Sequence, residues 1–459
     1  MTDNTSGVLI LSHCGYSFLE DLKAELDRRQ LKCFVLSSLP LPEHVPQRLD
    51  HLRGWADELY STASHQLQVS DVDACIDTLH DQGEHVLCCI SVWEGYRHLM
   101  AYAIRRLGIH DLDWEHTLKL RNKLAVRNRL ADAGLSAARA IELSPVSLAL
   151  LKEDDKRYFI KPIHGIASYG AFPLRENTTW AGLEGIRACA AKDTLYASAF
   201  NGPLSFMAEH YITGREFSFE VLVVDGNAHV VAIHEKCEMT ESADTVLENC
   251  CTSPPVSLAP EAIAEGVAWI GKVVDEVQLN WGCFHIEARF TGKAWDLIEI
   301  NPRVGGSLIS HSVNSMTQGQ SLLSLWLELL IFASADDANA RRTFERYLAE
   351  ISYTCNGVCP SDIATFFRVY FAEAGVLEHV EVRPLAMDPV VSHVLLKPGD
   401  EIPAQAREVF LGQMLWAFAR NDHRQTFTLL SQLSAQAIDI RYAKSRQRQP
   451  GDNVTCATH

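Results

Sequence analysis

The stretch Trp281–Gly306, WGCFHIEARFTGKAWDLIEINPRVGG, gathers carboxylates, an amide, two arginines and a Gly-Gly turn onto what reads as one hairpin. In CFHIEARF, Phe284, Ile286, Ala288 and Phe290 fall on one face and Cys283, His285, Glu287 and Arg289 on the other, the two-residue period of a half-buried strand. Thr291-Gly292-Lys293 marks a turn. The return strand DLIEIN repeats the device, with Ile298 and Ile300 inward and Glu299 and Asn301 opposite. Two carboxylates and an amide oxygen then converge, and hard oxygen ligands suit Mg²⁺, which takes one or two carboxylates and completes its shell with water and substrate phosphates. Glu287, Glu299 and Asn301 are therefore the expected metal ligands, with Mn²⁺ admitted as well. The competing reading is a charged sheet face that keeps the protein soluble. Arg303, two residues after Asn301, favours the site, because its guanidinium is a fixed fork of donors for phosphate or carboxylate.

Outward from this hairpin, the chain has 459 residues, enough for two to four domains, and 47% hydrophobic residues, as in an ordinary globular protein. Its 41 Lys+Arg against 58 Asp+Glu leave a net charge of −17, which repels nucleic acid and anionic membrane surfaces. A nucleotide site here needs local positive charge. No basic segment precedes an N-terminal apolar run, and no stretch reaches about 18 apolar residues, so a cytoplasmic protein is expected. The thirteen cysteines occur singly or as adjacent pairs in apolar runs, Cys88-Cys89 and Cys250-Cys251, and read as small reduced core residues. Cys355 and Cys359 have no second Cys or His pair nearby, which argues against zinc.

Gly7–Ser12, a helical stretch from Ser17 to Arg29 and the run CFVLSS form a β-α-β opening, and Val86–Ile109 continues the alternation. This predicts an N-terminal Rossmann-like domain with a parallel sheet over 1–112. The turn after the first strand, HCGYSF, lacks Gly-x-Gly-x-x-Gly, which disfavours a nicotinamide or flavin enzyme. His116–Gly134 has helical spacing, with Lys123 and Arg127 one turn apart; a solvated basic face is the plain alternative there. Tyr158–Ile160 reads as a strand entering Lys161, and Lys161–Gly170, KPIHGIASYG, can fold backbone N–H groups over an anion. Strands follow at Phe206–His210 and Glu216–Val224, and Asp225-Gly226-Asn227 turns the chain back through HVVAIHEK. The charged segment CEMTESADTVLENC reads as a loop and Pro260–Val277 as a helix. One or two helices over Ser321–Tyr347, a small β-rich appendage and a disordered basic tail complete the chain.

The ordered set Lys123, Lys161 with its Gly-rich loop, Glu209, Glu216, Glu287, Glu299, Asn301 and Arg303 resembles the ATP-grasp carboxylate–amine ligases over nearly the whole chain. The NPRVGG end and the region from Gly375 to Ile440 look most like the L-amino-acid ligases that make dipeptides. The resemblance implies an α/β ATP-grasp fold: the Rossmann-like domain over 1–112, an ATP-grasp domain over 113–330 with a lid at about 140–208, a C-terminal α+β domain over 331–446, and a tail over 447–459. It implies that Lys123 and Lys161 contact ATP phosphates and that the loop around Ser168 is the flap over them. Glu209, His210 and Ile212 fall on the hinge that reads adenine, and Glu216 matches the carboxylate for the ribose. Arg303 matches the arginine that steadies the acyl phosphate and tetrahedral species, with Lys161 beside it as the other catalytic residue.

The implied reaction activates a carboxylate as an acyl phosphate with release of ADP, and an amine then displaces phosphate. Two amino acids are the expected substrates and a dipeptide of small-molecule or antibiotic metabolism the product, made by a homodimer. Ligases of this group often show Glu-x-x-His before a Pro; here Glu248 is followed by Cys251 at the His position. That puts substrate identity in doubt. Glu248, Cys251, His285, Arg289, Gly305, Gly306 and Ser307 are candidate pocket residues, with His311 a further one. Another acceptor, ring closure on one substrate, or an ATP-binding regulator without turnover are the alternatives.

Overall fold

The computed structural model describes residues 6–16, 18–41, 45–200, 202–241, 245–333, 338–402 and 409–443. The basic tail and the 447–459 segment lie outside them. The early apolar runs become parallel strands because an intervening helix carries the chain back to the same end of the sheet each time. β1 (Ser6–Ser12), β2 (Lys32–Ser37), β3 (Glu58–Ser61) and β4 (His85–Ile90) pair in the order β3-β2-β1-β4, all parallel. Val8, Leu9, Ile10 and Leu11 are all at most 1% exposed, as in a parallel strand covered on both faces. β3 and the helices Val45–Arg53 and Val69–Asp81 escaped the sequence reading.

The expected helix over His116–Gly134 is two helices, Trp114–Arg121 and Lys123–Asp132. Asn122 breaks it: its backbone leaves the helical region and its side chain accepts from the Ala125 N–H at 2.9 Å, an N-cap that starts a new helix. Lys123 thereby becomes the first residue of a helix. β5 (Ala140–Glu142), β6 (Tyr158–Pro162), β7 (Phe172–Pro173) and β8 (Phe206–His210) then form an antiparallel sheet, β5-β8-β6-β7, over its own core of Ile160, Phe172, Leu183 and Phe206.

The remaining strands are β9 (Arg215–Val224), β10 (Asn227–Glu241), β11 (Val246–Ser253), β12 (Trp281–Phe290), β13 (Trp295–Asn301), β14 (Ile363–Phe371), β15 (Gly375–Val382), β16 (Val391–Val394), β17 (Glu401–Ile402), β18 (Phe410–Ala419) and β19 (Ile438–Tyr442). Eight make one antiparallel sheet, β13-β12-β9-β10-β11-β14-β18-β16, and β17-β15-β19 a small one. The expected loop CEMTESADTVLENC is thus the end of β10 and the start of β11, apart from undescribed residues 242–244. Glu238 pairs with Arg368 at 2.9 Å and Glu241 accepts from Tyr211 at 2.7 Å, partners outside the segment, and that is what disguised the strands. Of the strands expected as an appendage, β15, β17 and β19 make that small sheet, whereas β14, β18 and β16 extend the central one, β14 pairing with β11 with Cys251 opposite Phe367. Under the hairpin, Trp295 sets its ring against Phe217 and Phe219, centroids 5.2 and 5.0 Å apart. A Cβ on Gly266 would sit 2.8 Å from that indole, so only glycine lets the helix Pro260–Glu276 lie on it. Among the described residues no helix is long and apolar enough to cross a membrane.

Candidate active site

The hairpin register places Glu287 directly opposite Glu299 and His285 opposite Asn301. On the other side of β12, β9 sets Ser218 beside Glu287, Glu216 beside Arg289 and Glu220 beside His285. One face of three strands is therefore polar, yet largely buried, and each charge on it needs a partner.

Lys236 of β10 supplies the central one. Its Nζ donates to Glu216 Oε1 at 2.7 Å, lies 3.1 Å from Glu287 Oε1 and bonds Glu248, matching three donors to three carboxylates. Among the described residues these three glutamates form the carboxylate cluster with metal-holding spacing, their oxygens within 4.8 Å of one another. Burial works against the Lys236 charge, but the carboxylates hold its pKa well above the usual range. Burial, aided by Glu287 and Glu216, pushes the Glu248 carboxyl up to about 7 against the pull of Lys236. Burial would raise Glu287 as well, but Lys236 and His285 hold it well below the carboxylate range. The sequence reading had Glu216 and Glu248 but missed Lys236.

Glu299 is held differently. Lys123 Nζ lies 2.9 Å from Glu299 Oε2 and donates to the Gly165 carbonyl at 3.1 Å, while Asn301 Nδ2 donates to Glu299 Oε1 at 3.0 Å. Against burial, Lys123 and Lys161 hold the Glu299 carboxyl below its usual range. Lys161 pairs with Glu209 Oε1 at 2.7 Å and donates to the Ile298 carbonyl at 2.9 Å. Arg127, a candidate for a solvated basic face, is 1% exposed, with Glu209 Oε2 at 2.7 Å and Asp296 Oδ1 at 3.1 Å. It locks the Lys123 helix to β8 and β13.

His285 has both ring nitrogens at carboxylates: Nδ1 is 2.9 Å from Glu220 Oε1 and Nε2 is 2.9 Å from Glu287 Oε1. Both nitrogens donate there, so the ring is an imidazolium; burial opposes this, but Glu220 foremost carries its pKa up to about 10. Glu220, fully buried, also accepts from Ser218 Oγ at 2.9 Å; burial would raise it, but His285 and His234 hold it at about 2. A Cβ on Gly305 would sit 2.8 Å from His285 Nδ1, which explains glycine there. Arg303 donates to Glu94 Oε2 at 3.2 Å and to the Val304 carbonyl at 2.8 Å. Glu94, which follows β4 of the parallel sheet, is another partner the sequence did not disclose. Burial pushes the Cys251 and Cys283 thiols well above their ordinary range, so neither is a thiolate nucleophile.

Two adjoining cavities meet at Glu248, Glu287 and Glu299 beneath the loop carrying Ser168. Ala167 and Ser168 take left-handed φ values of 50° and 51° there. The first cavity holds Lys123, Lys161, Glu209, Ile212, Glu216 and Arg289, with Phe159, Ile166, Tyr211 and Ile298 as apolar walls. Arg289 Nη1 donates to the Ile212 carbonyl at 2.6 Å and Nε to Glu216 Oε2 at 2.9 Å, tying the segment after β8 to the sheet. The second cavity takes in Cys251, His285, Arg303, Gly306 and Ser307. His210 packs its ring on Tyr158 and lines neither cavity, and His311 faces Asp21 at 3.4 Å, apart from both.

Residues 156–311 match the family model described as an ATP-grasp domain. No protein of curated function matches in sequence. Among solved structures, an L-amino acid ligase from Bacillus licheniformis superposes with a TM-score of 0.72 at 18% identity, covering 96% of this chain and 100% of that one. A phosphoribosylglycinamide synthetase from Anaerococcus prevotii gives 0.60 at 14% identity over 95% and 100%. The biotin carboxylase domain of a Hydrogenobacter thermophilus 2-oxoglutarate carboxylase, solved with its magnesium ADP salt, gives 0.62 at 13% over 95% and 91%. These likenesses establish the fold. ATP and Mg²⁺ fit the residues present: two buried ammonium groups for phosphates, an apolar slot for a base, and the oxygens of Glu287 and Glu299, opposite each other across the hairpin, with Asn301 beside them, a donor set of the hardness Mg²⁺ or Mn²⁺ takes. Residues 156–311 therefore form an ATP-grasp domain, carried within a fold shared with the L-amino acid ligase, the phosphoribosylglycinamide synthetase and the biotin carboxylase domain.

Proposed function

We propose that this chain joins the carboxylate of one amino acid to the amine of another, releasing ADP and phosphate. The observation that carries the reading is the junction of two cavities at one set of carboxylates, with Lys123 and Lys161 on one side and Arg303 on the other. A carboxylate oxygen attacks the γ-phosphorus, the bond to ADP breaks, and an acyl phosphate forms; the amine then attacks the acyl carbon, loses a proton and expels phosphate. Bound Mg²⁺ supplies charge neutralisation between the anionic reactants. Glu287, Glu299 and Asn301 are the residues to hold it, with Glu216 and Glu248 within reach.

The chain's own groups do the rest. Lys123 and Lys161 act as point charges on phosphate, exchanging their present partners Glu299 and Glu209 for it. Arg303, kept extended by Glu94, presents its guanidinium to the oxyanion of the acyl phosphate and of the tetrahedral species. The Ser168 loop closes over both cavities and keeps water from the acyl phosphate.

The test is phosphate release from Mg-ATP against pools of amino acids, with mass spectrometry of every positive pool and Glu299→Gln as control. Pool-dependent phosphate with a new mass equal to two amino acids less one water supports the reading. A single substrate that loses one water makes the enzyme a ring-closing ligase, and ATP binding without turnover in any pool refutes the amino-acid assignment.

A further inference from the structure

The second cavity, about 350 Å³, is polar on one side and apolar on the other, and the sheet shows why. Across β12-β9-β10-β11-β14-β18 the residues that line it pass from Glu287 and Ser218 through Lys236 and Cys251 to Phe367. Lys236 stands in register with Cys251, and Cys251 with Phe367. Beyond Phe367, Val369 and Phe371 share its face at the two-residue period of a strand. Phe410 of β18 sets its ring on Phe371, centroids 5.3 Å apart.

From the other side of the cavity the segments after β1 and β4 add Phe18, Val92 and Trp93. Trp93 stacks on His13 at 4.4 Å, and His13 has its ring nitrogens at Tyr96 Oη, 3.0 Å, and the Leu195 carbonyl, 2.6 Å. Burial lowers the pKa of that imidazole to about 4, so it adds a flat neutral surface and no charge near neutral pH. Among the described lining residues the carboxylates and Lys236 belong to the β9–β13 side and to β11, and β14 and β18 contribute only aromatic and branched side chains. β14 lies two strand spacings from β10, roughly 10 Å, a gap that a large side chain bridges and a methyl group does not.

We infer that one of the two substrates is an amino acid with a large apolar side chain, aromatic or branched, and that β14, through Phe367, Val369 and Phe371, sets this preference. The inference rests on the amino-acid ligase reading above. The substrate's charged groups stay at the Arg303 and Glu248 side, where partners exist, and its side chain lies along β14 against Trp93. A charged side chain there would be buried without a partner. An added methylene in an apolar pocket is worth about tenfold or more in kcat/KM. Phenylalanine or leucine should therefore exceed alanine by about a hundredfold, with aspartate and lysine below alanine.

The experiment measures kcat/KM for a matrix of amino acid pairs with the full chain and Mg-ATP. In parallel it follows the unfolding midpoint with single amino acids and a non-hydrolysable ATP analogue, which reads binding without turnover. Val369→Asp places a charge on the wall, and Phe371→Ala, at a half-buried position, shortens the wall without testing the core. Both variants should lose the large-apolar preference by tenfold or more, and Phe371→Ala should keep the wild-type unfolding midpoint in the absence of amino acids. Turnover confined to small or charged amino acids overturns the inference and leaves the ligase standing. Equal midpoint shifts from phenylalanine and alanine overturn it too. Absence of turnover with every pair, while the analogue binds, removes the ligase reading and this inference with it.

Discussion

Replacing Lys236 by methionine keeps the length of the side chain and deletes the one charge that Glu216, Glu248 and Glu287 share. Lys236 is 2% exposed at its side chain, and the partners left behind are 6%, 37% and 13% exposed, so Glu216 and Glu287 each lose one of two cations away from water, keeping Arg289 and His285, while Glu248 loses its cation. Breaking a buried ion pair from one side costs about 3–5 kcal/mol, because the orphaned charge remains. The folded variant lowers this cost by taking up protons, its carboxylate pKa values rising above those of the unfolded chain. A folded state that binds more protons than the unfolded one loses stability as pH rises. The penalty should therefore be largest near pH 8 and shrink as pH falls through about 5.

Urea denaturation of wild type and Lys236→Met at both pH values, in chelator and in millimolar Mg²⁺, reads all of this. With the ammonium gone, oxygens within 4.8 Å of one another are free for a divalent ion. Mg²⁺ at about a hundred times its Kd would restore about 2.7 kcal/mol. The double variant Lys236→Met/Glu248→Gln should be more stable than the single one at pH 8. A penalty under about 1 kcal/mol, or one unchanged between pH 5 and pH 8, refutes the reasoning, since apolar packing of the lysine stem would then explain the whole effect.

Glu220→Gln removes the charge that fixes His285 as a donor to Glu287, and losses of this indirect kind run about 10- to 100-fold in metal affinity; an electron paramagnetic resonance titration with Mn²⁺ should show that weakening, and unchanged binding counts against the positioning role. Glu299→Gln should lower turnover by about 10²-fold or more while the chain keeps its unfolding midpoint to within about 1 kcal/mol, because Lys123 retains the Gly165 carbonyl; near-normal turnover would remove Glu299 from the site. His13 and His423 are both held at about 4 by burial, so the unfolded chain binds the extra protons between about 6.5 and 4. The contribution of these two histidines to stability should thus fall as pH drops through that window, by up to about 3 kcal/mol for each residue. His423→Gln, which can keep a hydrogen bond to Thr252 Oγ1, should flatten the slope, and an unaltered slope assigns the acid sensitivity elsewhere.

The hairpin was legible because its two faces carry different chemistry within a few residues, so the alternation of side chains groups Glu287, Glu299 and Asn301 on one surface; Ile298, expected inward, is the exception, since the register shifts there and it lines the first cavity. The parallel N-terminal sheet was legible for a similar local reason, apolar runs separated by helical ones. What escaped were charges whose partners lie far along the chain. Arg127 sits one turn from Lys123 and looks like its solvated neighbour, yet its carboxylate on Glu209 is 82 positions away. Glu238 gave its segment the look of a loop, and its partner Arg368 stands 130 positions on, at 2.9 Å. A carboxylate in a strand reads as loop or surface unless the cation that neutralises it is in view. One signal for Lys236 did exist. Glu216, Ser218 and Glu220 on one face of β9, followed through a tight hairpin by His234 and Lys236 on the neighbouring strand, make a polar stripe two strands wide with apolar residues between them. Such a stripe in the centre of an eight-stranded sheet cannot be solvated along its whole length, so acids on one strand and bases on the next imply a buried, mutually neutralised face.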